Sequence, residues 1–245
     1  MDNKIILAEK PYICLQGEGK YIGVPYLLVR MTGCLLACCW CDTPYSSIKP
    51  EKVEISKEEL IKFTDDNARI NHVMITGGEP TTNPNLLNDL CMYFHTQGFH
   101  ITIETAGTNY VETIADFISI SPKFENSIPS RLLSVKEMKH RDIILSEEYK
   151  VNICNLIKYH LSWGNDFQIK PVIEKFSDFV ELENLLDYLR SRGLNTFGKI
   201  YCMPLGQTRE ELKEISTWLA EQCIVRGYNY TDRLHVRLYN DKRGV

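Results

Sequence analysis

Four cysteines, Cys34, Cys38, Cys39 and Cys41, fall within eight consecutive positions and are the residues best suited to chemistry. Three of them have the spacing CxxxCxxC, and three thiolates this close together can wrap a loop around one inorganic centre. A structural zinc ion normally takes four ligands, and no fourth Cys or His completes this spacing. The pattern favours an iron–sulfur cluster with one open iron, although buried cysteines or a zinc site stay open. Cys39 does not fit the spacing, and we expect it to pack behind the loop.

The composition is that of an ordinary globular protein. The 245 residues are 44% hydrophobic and 24% charged, enough for one sizeable core. The net charge of −4 argues against a nucleic-acid partner, because proteins that bind phosphate backbones are usually basic. The sequence has neither an 18-residue apolar run nor a signal-peptide layout, so we expect no membrane span and a cytoplasmic location. Nine cysteines in that compartment predict buried thiols plus a metal or redox site.

Short β-rich runs alternate with helical patterns along the whole chain. No repeat or flexible linker divides the sequence, so we predict a single domain over residues 1–245, with a polar, irregular surface segment around residues 124–147. Strands separated by helices predict parallel pairing with right-handed crossovers. The predicted strands are Tyr26–Met31, His72–Thr76, His100–Glu104, Phe117–Ser121, Asp166–Lys170, Lys199–Met203 and Leu234–Leu238.

Helix starts are visible in the sequence as capping signatures. Ser56 with Glu59, and Thr208 with Glu211, each place an acidic residue three positions after a hydroxyl, which is the capping-box pattern. Two further amphipathic runs are Pro84–Gln97, which precedes Gly98 as a C-cap, and Asp178–Arg190.

Polar, Gly- or Pro-containing motifs follow each of the first six predicted strands. The carboxyl ends of parallel strands lie on one face of a sheet or barrel, and that face carries the chemistry of α/β proteins. Loops need Gly and Pro to turn in any case, but the recurrence at six strand ends favours function. The motifs are Thr32–Thr43, Gly77–Pro80, Thr105–Thr108, Pro122–Lys123, Pro171 and Pro204–Gln207.

The cysteine loop, with an aromatic residue before its last cysteine, resembles the cluster loop of the radical S-adenosylmethionine (SAM) superfamily. The segment Thr76–Pro80 (TGGEP) resembles the superfamily's GGE motif, which holds the SAM amino group. Glycines let a backbone come close to a ligand, and a carboxylate pairs with an ammonium group. The resemblance implies an α/β fold, a partial (β/α) barrel of parallel strands with the site at their C-terminal ends. It also implies a 4Fe–4S cluster and SAM.

A further set of motifs is similar to those of the 7-carboxy-7-deazaguanine synthases over most of the chain from about residue 10. The set comprises Gln16–Gly19, Arg30, Cys41–Thr43, Glu104–Thr108, Ser121–Lys123 and the final LHVRLYNDKRGV. Cys39 and the segment around residues 124–147 have no place in this pattern.

The family resemblance implies a lyase of 7-deazapurine (queuosine-type) biosynthesis. It converts 6-carboxy-5,6,7,8-tetrahydropterin to 7-carboxy-7-deazaguanine with loss of ammonia. The reduced cluster would split SAM, the resulting radical would take a hydrogen atom from the pterin, and SAM would be regenerated. Mg²⁺, a flavodoxin-like electron donor and a homodimer are also implied.

The resemblance assigns roles to individual residues. The cluster ligands are Cys34, Cys38 and Cys41, and the Mg²⁺ ligand is Thr43. The implied SAM-binding residues are Trp40, Cys41, Asp42, Gly78, Glu79, Glu104, Ser121, Pro122, Lys123, Met203, Pro204, Leu205 and Gly206. The implied substrate-binding residues are Leu15, Gln16, Gly17, Glu18, Arg30, Thr76, His235 and Val245.

Several of these residues also have simpler interpretations. Arg30 interrupts an apolar strand and suits the two-pronged grip of a carboxylate, and an internal salt bridge is the simpler alternative. Gln16 and Glu18 can read a pterin edge through hydrogen bonds. A surface carboxylate, a solvated lysine and a strand histidine with satisfied hydrogen bonds are the ordinary alternatives for Glu104, Lys123 and His235.

Two other functions stay open. An activating enzyme that makes a glycyl radical on a partner protein shares the cluster and GGE motifs. It would not need Arg30, QGEG and the C-terminal tail together. A non-catalytic zinc-binding module would share the cysteines alone.

Overall fold

The computed structural model describes residues 4–131, 134–240 and 242–244. Its strands confirm an α/β chain with a largely parallel sheet. The strands are β1 (Lys4–Leu7), β2 (Tyr12–Leu15), β3 (Pro25–Met31), β4 (Val53–Ser56), β5 (His72–Gly77), β6 (His100–Thr105), β7 (Phe117–Ile120), β8 (Asp166–Ile169), β9 (Val172–Ile173), β10 (Tyr201–Pro204) and β11 (Asn229–Tyr230).

The helices begin at the predicted caps. Ser56 and Thr208 each accept a hydrogen bond from the backbone of the Glu three residues on, and both capping boxes are complete. Among the described helices, none is long and apolar enough to cross a membrane. The helices are α1 (Lys57–Asp66), α2 (Pro84–Thr96), α3 (Val135–Ile144), α4 (Glu147–Ser162), α5 (Phe176–Ser191), α6 (Arg209–Arg226) and α7 (Leu234–Tyr239), with 3₁₀ turns at Gly19–Tyr21, Pro80–Thr82 and Glu125–Ser127.

Five parallel strands form the centre of the sheet in the order β3, β5, β6, β7, β8. A single bridge from Ile169 to Ile200 continues this order into a smaller parallel sheet of β9, β10 and β11. On the other side, β1, β2 and β4 extend the sheet with antiparallel pairing. These three strands were not predicted, because each is only four residues long and lies outside the strand–helix alternation.

Alternate residues of β3 point to opposite faces, as strand geometry requires. Leu27, Val29 and Met31 belong to a core formed with α1 and α2. Leu28 and Arg30 point to the other face, where they line a cavity. The sheet therefore separates a helix-covered apolar core from an inner face that is free to carry a site.

The structure contradicts two predictions about secondary structure. Leu234–Leu238 was predicted as a strand but forms helix α7, in which Val236 is the buried residue. The backbone N–H of Leu234 donates to the Gly17 carbonyl at 2.8 Å, so α7 packs over the start of the chain rather than joining a sheet. The alternation of apolar and polar residues in LHVRL is too short to distinguish the two-residue period of a strand from the 3.6-residue period of a helix.

The segment around residues 124–147 is neither irregular nor wholly on the surface. It contains the 3₁₀ turn Glu125–Ser127 and α3, which begins with a complete capping box from Ser134 to Glu137. The side chain of His140 in α3 is fully buried. The polar composition of α3 hid this helix, although the capping box was visible in the sequence.

Candidate active site

A cavity of about 320 Å³ opens at the C-terminal ends of the parallel strands. Each of the five central strands contributes at least one polar residue to its lining, at or just beyond the end of the strand. Paired residues of adjacent strands, such as Arg30 and Thr76, point to the same face, and so do residues two apart in one strand. The five side chains therefore share the inner face. They are Arg30, Thr76, Glu104, Ser121 and Lys170.

The cysteine loop after β3 forms another wall of this cavity. Cys34, Cys38 and Cys41 all line it. Burial raises the pKa of the Cys34 and Cys38 thiols to about 12 each, and neighbouring thiols reinforce the shift. The Cys41 sulfur lies 3.0 Å from the Ser47 hydroxyl. Cys39 is exposed rather than packed behind the loop, with its Sγ 3.4 Å from the Asn126 carbonyl oxygen.

The donor set fits an iron–sulfur cluster better than a single metal ion. In the part of the chain that the structure describes, no three His, Cys, Asp or Glu side chains stand close enough to share one ion. A structural zinc ion would require four ligands at one point. In a 4Fe–4S cluster each cysteine binds a different iron. Three thiols around one cavity therefore suit the cluster.

The end of β5 presses against the cysteine loop. A Cβ on Gly78 would lie 2.1 Å from the Gly33 carbonyl oxygen and 2.5 Å from that of Ser46. The Glu79 N–H donates to the Gly33 carbonyl at 2.8 Å. Gly78 was expected to let a ligand come close, and its missing side chain also lets the backbone of the cysteine loop come close.

Glu79 is 1% exposed, and its carboxylate is held by protein donors. Oε1 accepts from the Thr105 hydroxyl at 2.5 Å and from both the N–H and the hydroxyl of Thr81. Oε2 accepts from the Ala106 N–H at 2.6 Å. The carboxylate thus ties the end of β5 to the end of β6, and it does not line the cavity.

Two buried cations, Lys170 and Arg233, bridge the acidic residues of the cavity wall. The Lys170 ammonium lies 2.5 Å from Glu18 and 2.7 Å from Glu104. The Arg233 guanidinium pairs with Glu18 at 3.1 Å and with Asp42, and it donates to the Gly206 carbonyl at 2.5 Å. One network thus joins residues expected to bind substrate and residues expected to bind SAM.

The network favours the ionised forms of Glu18 and Asp42. Burial alone would raise the pKa of Glu18, but the charges of Lys170 and Arg233 hold it well below its ordinary value. Burial opposes ionisation of Asp42 too, and Arg233 lowers the pKa of that carboxyl. Burial lowers the pKa of His235, whose Nε2 lies 3.9 Å from Glu18, so its imidazole is neutral at pH 7.

Arg30 has an internal partner. Its Nε lies 2.6 Å from the Glu9 carboxylate, which also forms an ion pair with Arg243 at 3.1 Å. Arg243 lies over the Tyr45 ring at 3.5 Å and pairs with Glu51. The internal salt bridge that the sequence left open is therefore present, and Arg30 still lines the cavity.

Lys123 faces the cavity from the loop after β7. Its ammonium donates to the Ser121 carbonyl and hydroxyl oxygens, both at 2.7 Å. It also lies 5.6 Å from the centre of the Trp40 ring. Ser121, Lys123 and Trp40 thus form one contact group beside the cysteine loop.

Most of the predicted site residues come together around this cavity. Val245 lies outside the described residues. The predicted residues that line the cavity are Leu15, Glu18, Arg30, Cys34, Cys38, Trp40, Cys41, Asp42, Thr43, Thr76, Gly78, Glu104, Ser121, Lys123, Met203 and His235. The predicted residues outside its lining are Gln16, Gly17, Glu79, Pro122, Pro204, Leu205 and Gly206.

Sequence reasoning missed several cavity residues. Lys170 ends a predicted strand as Glu104 does, so the shared strand-end position could have identified it. Arg233 and Arg243 carried no comparable signal, because they reach the cavity only through the way α7 and the tail fold back. Tyr12 and Tyr45 were missed as well.

The comparisons with known proteins first define the class. The radical SAM superfamily model matches residues 28–124. The crystal structure of QueE from Escherichia coli has the same fold, with a TM-score of 0.63 and 23% identity over 95% of each chain. The match identifies residues 28–124 as a radical SAM region, a class that implies a 4Fe–4S cluster and SAM.

Curated relatives then define the family. The 7-carboxy-7-deazaguanine synthase of Rhodopirellula baltica is 31% identical over 98% of this chain and 89% of its own length. That of Halobacterium salinarum is 33% identical over 94% of this chain and 89% of its own. The chain belongs to the 7-carboxy-7-deazaguanine synthase family.

Proposed function

We propose that this protein converts 6-carboxy-5,6,7,8-tetrahydropterin to 7-carboxy-7-deazaguanine with loss of ammonia, as a step of 7-deazapurine (queuosine-type) biosynthesis. The observation that carries this proposal is the single cavity that brings the three-cysteine loop together with Arg30, Glu18 and His235. A volume of about 320 Å³ lies in the range of small-molecule sites. No observation favours a glycyl-radical activating enzyme or a zinc module.

Cys34, Cys38 and Cys41 would hold the cluster. When bound, the cluster and SAM supply the electron transfer and hydrogen-atom abstraction that no side chain can perform. The protein's own contribution is to bind and orient the reactants.

The charge network supports SAM binding at Asp42 and Glu104. Glu18, Glu104 and Asp42 carry three negative charges against the two positive charges of Lys170 and Arg233. The network therefore leaves one excess negative charge, and SAM carries a sulfonium and an ammonium against a single carboxylate. Lys123, beside Ser121 and Trp40, offers a separate cation for that carboxylate.

Arg30 would bind the pterin carboxylate. The guanidinium already accommodates a carboxylate, that of Glu9, and Arg243 shares this partner. A substrate carboxylate can therefore pair with Arg30 while Glu9 keeps Arg243. Gln16 is the predicted substrate residue least able to take part directly. It is 5% exposed, with its amide nitrogen 3.2 Å from the Met74 sulfur.

Mg²⁺ binding by Thr43 is a further part of the proposal. The Thr43 side chain faces the cavity beside Asp42, and Mg²⁺ prefers oxygen ligands while retaining waters. A flavodoxin-like electron donor and a homodimer complete the proposal on the strength of the sequence resemblance. A cytoplasmic location and a single-domain organisation stay predictions from the pattern of the sequence itself.

The substrate assignment is tested by offering two pterins to the anaerobically reconstituted protein with SAM, a reductant and Mg²⁺. One is 6-carboxy-5,6,7,8-tetrahydropterin, and the other is the same ring system without the carboxylate. We expect a deazaguanine product from the first alone. Equal turnover of both would remove the carboxylate, and with it Arg30, from substrate recognition.

A further inference from the structure

The segment that follows Lys123 has no place in the family's sequence pattern, yet it packs directly on the cysteine loop. The carbonyl oxygen of Asn126 accepts from the Trp40 indole N–H at 2.9 Å. The carbonyl of Ser127 accepts from the Cys39 N–H at 3.0 Å. The second half of the cysteine loop is thus fixed to the turn Glu125–Ser127.

His140 of α3 fixes the first half. Its side chain is fully buried, and its Nδ1 accepts a hydrogen bond from the Ala37 N–H at 2.8 Å. Its Nε2 lies 3.0 Å from the Ser127 hydroxyl, which itself lies 2.6 Å from the Phe124 carbonyl oxygen. The hydroxyl donates to that carbonyl, so the proton of the neutral imidazole belongs on Nε2. One ring therefore connects the loop to the turn.

Ala37 lies between Cys34 and Cys38 in a stretch without regular secondary structure, so its N–H has no partner from a helix or sheet. A buried N–H without an acceptor is destabilising, because it loses its hydrogen bond to water and gains none in return. A second contact from α3 reaches the far end of the loop. The Lys136 ammonium donates to the Ser47 carbonyl at 2.6 Å, and the Ser47 hydroxyl touches the Cys41 sulfur.

We propose that the turn Glu125–Ser127 and helix α3 form a brace that holds the cysteine loop in its cluster-binding shape, and that His140 is the positioning residue at its centre. The imidazole acts by fixing the Ala37 amide, and with it the spacing of Cys34 and Cys38, before any iron is bound. The proposal rests on the assignment of these cysteines as cluster ligands.

The test compares His140→Leu with His160→Leu. His160, in α4, is equally buried and its ring contacts Tyr159, so its variant controls for the loss of a buried imidazole. The first readout is hydrogen–deuterium exchange of the peptide covering residues 33–41 in the cluster-free protein. We expect exchange of this peptide to be at least about tenfold faster in His140→Leu and unchanged in His160→Leu, because a lost bond of about 1.4 kcal/mol corresponds to tenfold.

The second readout is iron per chain after anaerobic reconstitution, with the rate of iron loss to a chelator and the electron paramagnetic resonance spectrum of the reduced cluster. His140→Leu should hold less iron and lose it faster. His140→Asn should recover part of the difference, since its amide oxygen can replace Nδ1 as the acceptor for Ala37.

Identical exchange and iron retention in the two leucine variants would overturn the proposal. If His140→Leu does not fold, Ser127→Ala decides the matter, because it keeps the acceptor for Ala37 but removes the bond between the imidazole and the turn. Exchange of the peptide covering residues 33–41 should then be faster than in the unmodified protein, and unchanged exchange and iron retention would overturn the proposal. If the unmodified protein takes up no iron, the assignment of the cluster ligands is wrong. Hydrogen–deuterium exchange of the cluster-free protein would still test the brace.

Discussion

At the scale of single residues, the buried cations explain how acidic side chains stay ionised beside a cavity. Lys170 is 3% exposed and Arg233 is 6% exposed, so neither charge is solvated. Burial alone would lower the pKa of Lys170, but Glu104 and Glu18 raise it above its ordinary value. Removing one partner of such a network leaves an uncompensated buried charge, which costs more than the pair itself contributes.

Lys170→Met is expected to lower the free energy of unfolding by about 3–5 kcal/mol. The control is Lys199→Met, because Lys199 forms a 2.5 Å pair with Asp166 that is about one-third exposed. An exposed pair contributes less than about 1 kcal/mol. Chemical denaturation of both variants measures the two losses. Similar small losses would show that Lys170 is not the structural counter-ion of Glu18 and Glu104.

Arg30→Ala should weaken binding of the carboxylated pterin about 10- to 100-fold, the loss expected for a charge-assisted hydrogen bond. SAM binding should be unchanged, and Arg243 leaves Glu9 paired in the variant. The pterin affinity of Arg30→Lys should lie between those of the unmodified protein and Arg30→Ala, because lysine keeps the charge but lacks the planar guanidinium. Isothermal titration of each ligand separates the effects, and an equal loss for pterin and SAM would exclude Arg30 from the pterin site.

At the scale of elements, the backbone at the end of β5 is in direct contact with the cysteine loop. The carbonyl of Met31 accepts from the Gly78 N–H at 3.1 Å, and that of Gly33 accepts from the Glu79 N–H. A side chain at Gly78 would collide with backbone, which cannot move aside as a flexible side chain can. The position of the loop therefore depends on the strand end beneath it.

Gly78→Ala should displace the cysteine loop and reduce the iron bound after reconstitution. Gly98→Ala provides the control, since Gly98 has a φ of +76° but open space around its Cβ position. That variant should cost about 1–2 kcal/mol of stability and keep its iron. Iron content and visible absorption distinguish the two, and full iron in Gly78→Ala would show that the loop does not need this contact.

The sequence predicted those elements whose signals are local. The six strands from Tyr26–Met31 to Lys199–Met203 and the helices α1, α2, α5 and α6 follow from periodicity and capping. The role of α7 did not, because a five-residue alternating run fits a strand or a helix until its packing is known. The contacts of His140 and Arg233 join residues about 100 or more positions apart, and a single sequence has no signal for such pairs.

At the scale of the whole molecule, buried histidines make stability sensitive to acid. Burial lowers the pKa of His160 from 6.5 to about 4. Between these values the unfolded chain takes up a proton that the folded protein does not, so the free energy of unfolding falls as the pH falls through this window.

The loss from His160 should reach about 2 kcal/mol at pH 5. His160→Leu should therefore lose about 2 kcal/mol less than the unmodified protein between pH 7 and pH 5, as measured by denaturation at both values. The fully buried His140 stays in both proteins and contributes equally. The same acid loss in both proteins would show that His160 is not a source of the sensitivity.

The central claim is that one cavity holds both the three-cysteine loop and a carboxylated pterin. The most direct measurement is the yield of 7-carboxy-7-deazaguanine and ammonia from the reconstituted protein with 6-carboxy-5,6,7,8-tetrahydropterin, SAM, reductant and Mg²⁺. We predict that Cys39→Ala gives the same yield of each product as the unmodified protein, and that Cys38→Ala gives neither product. No deazaguanine from a protein that carries a complete 4Fe–4S cluster would contradict the account.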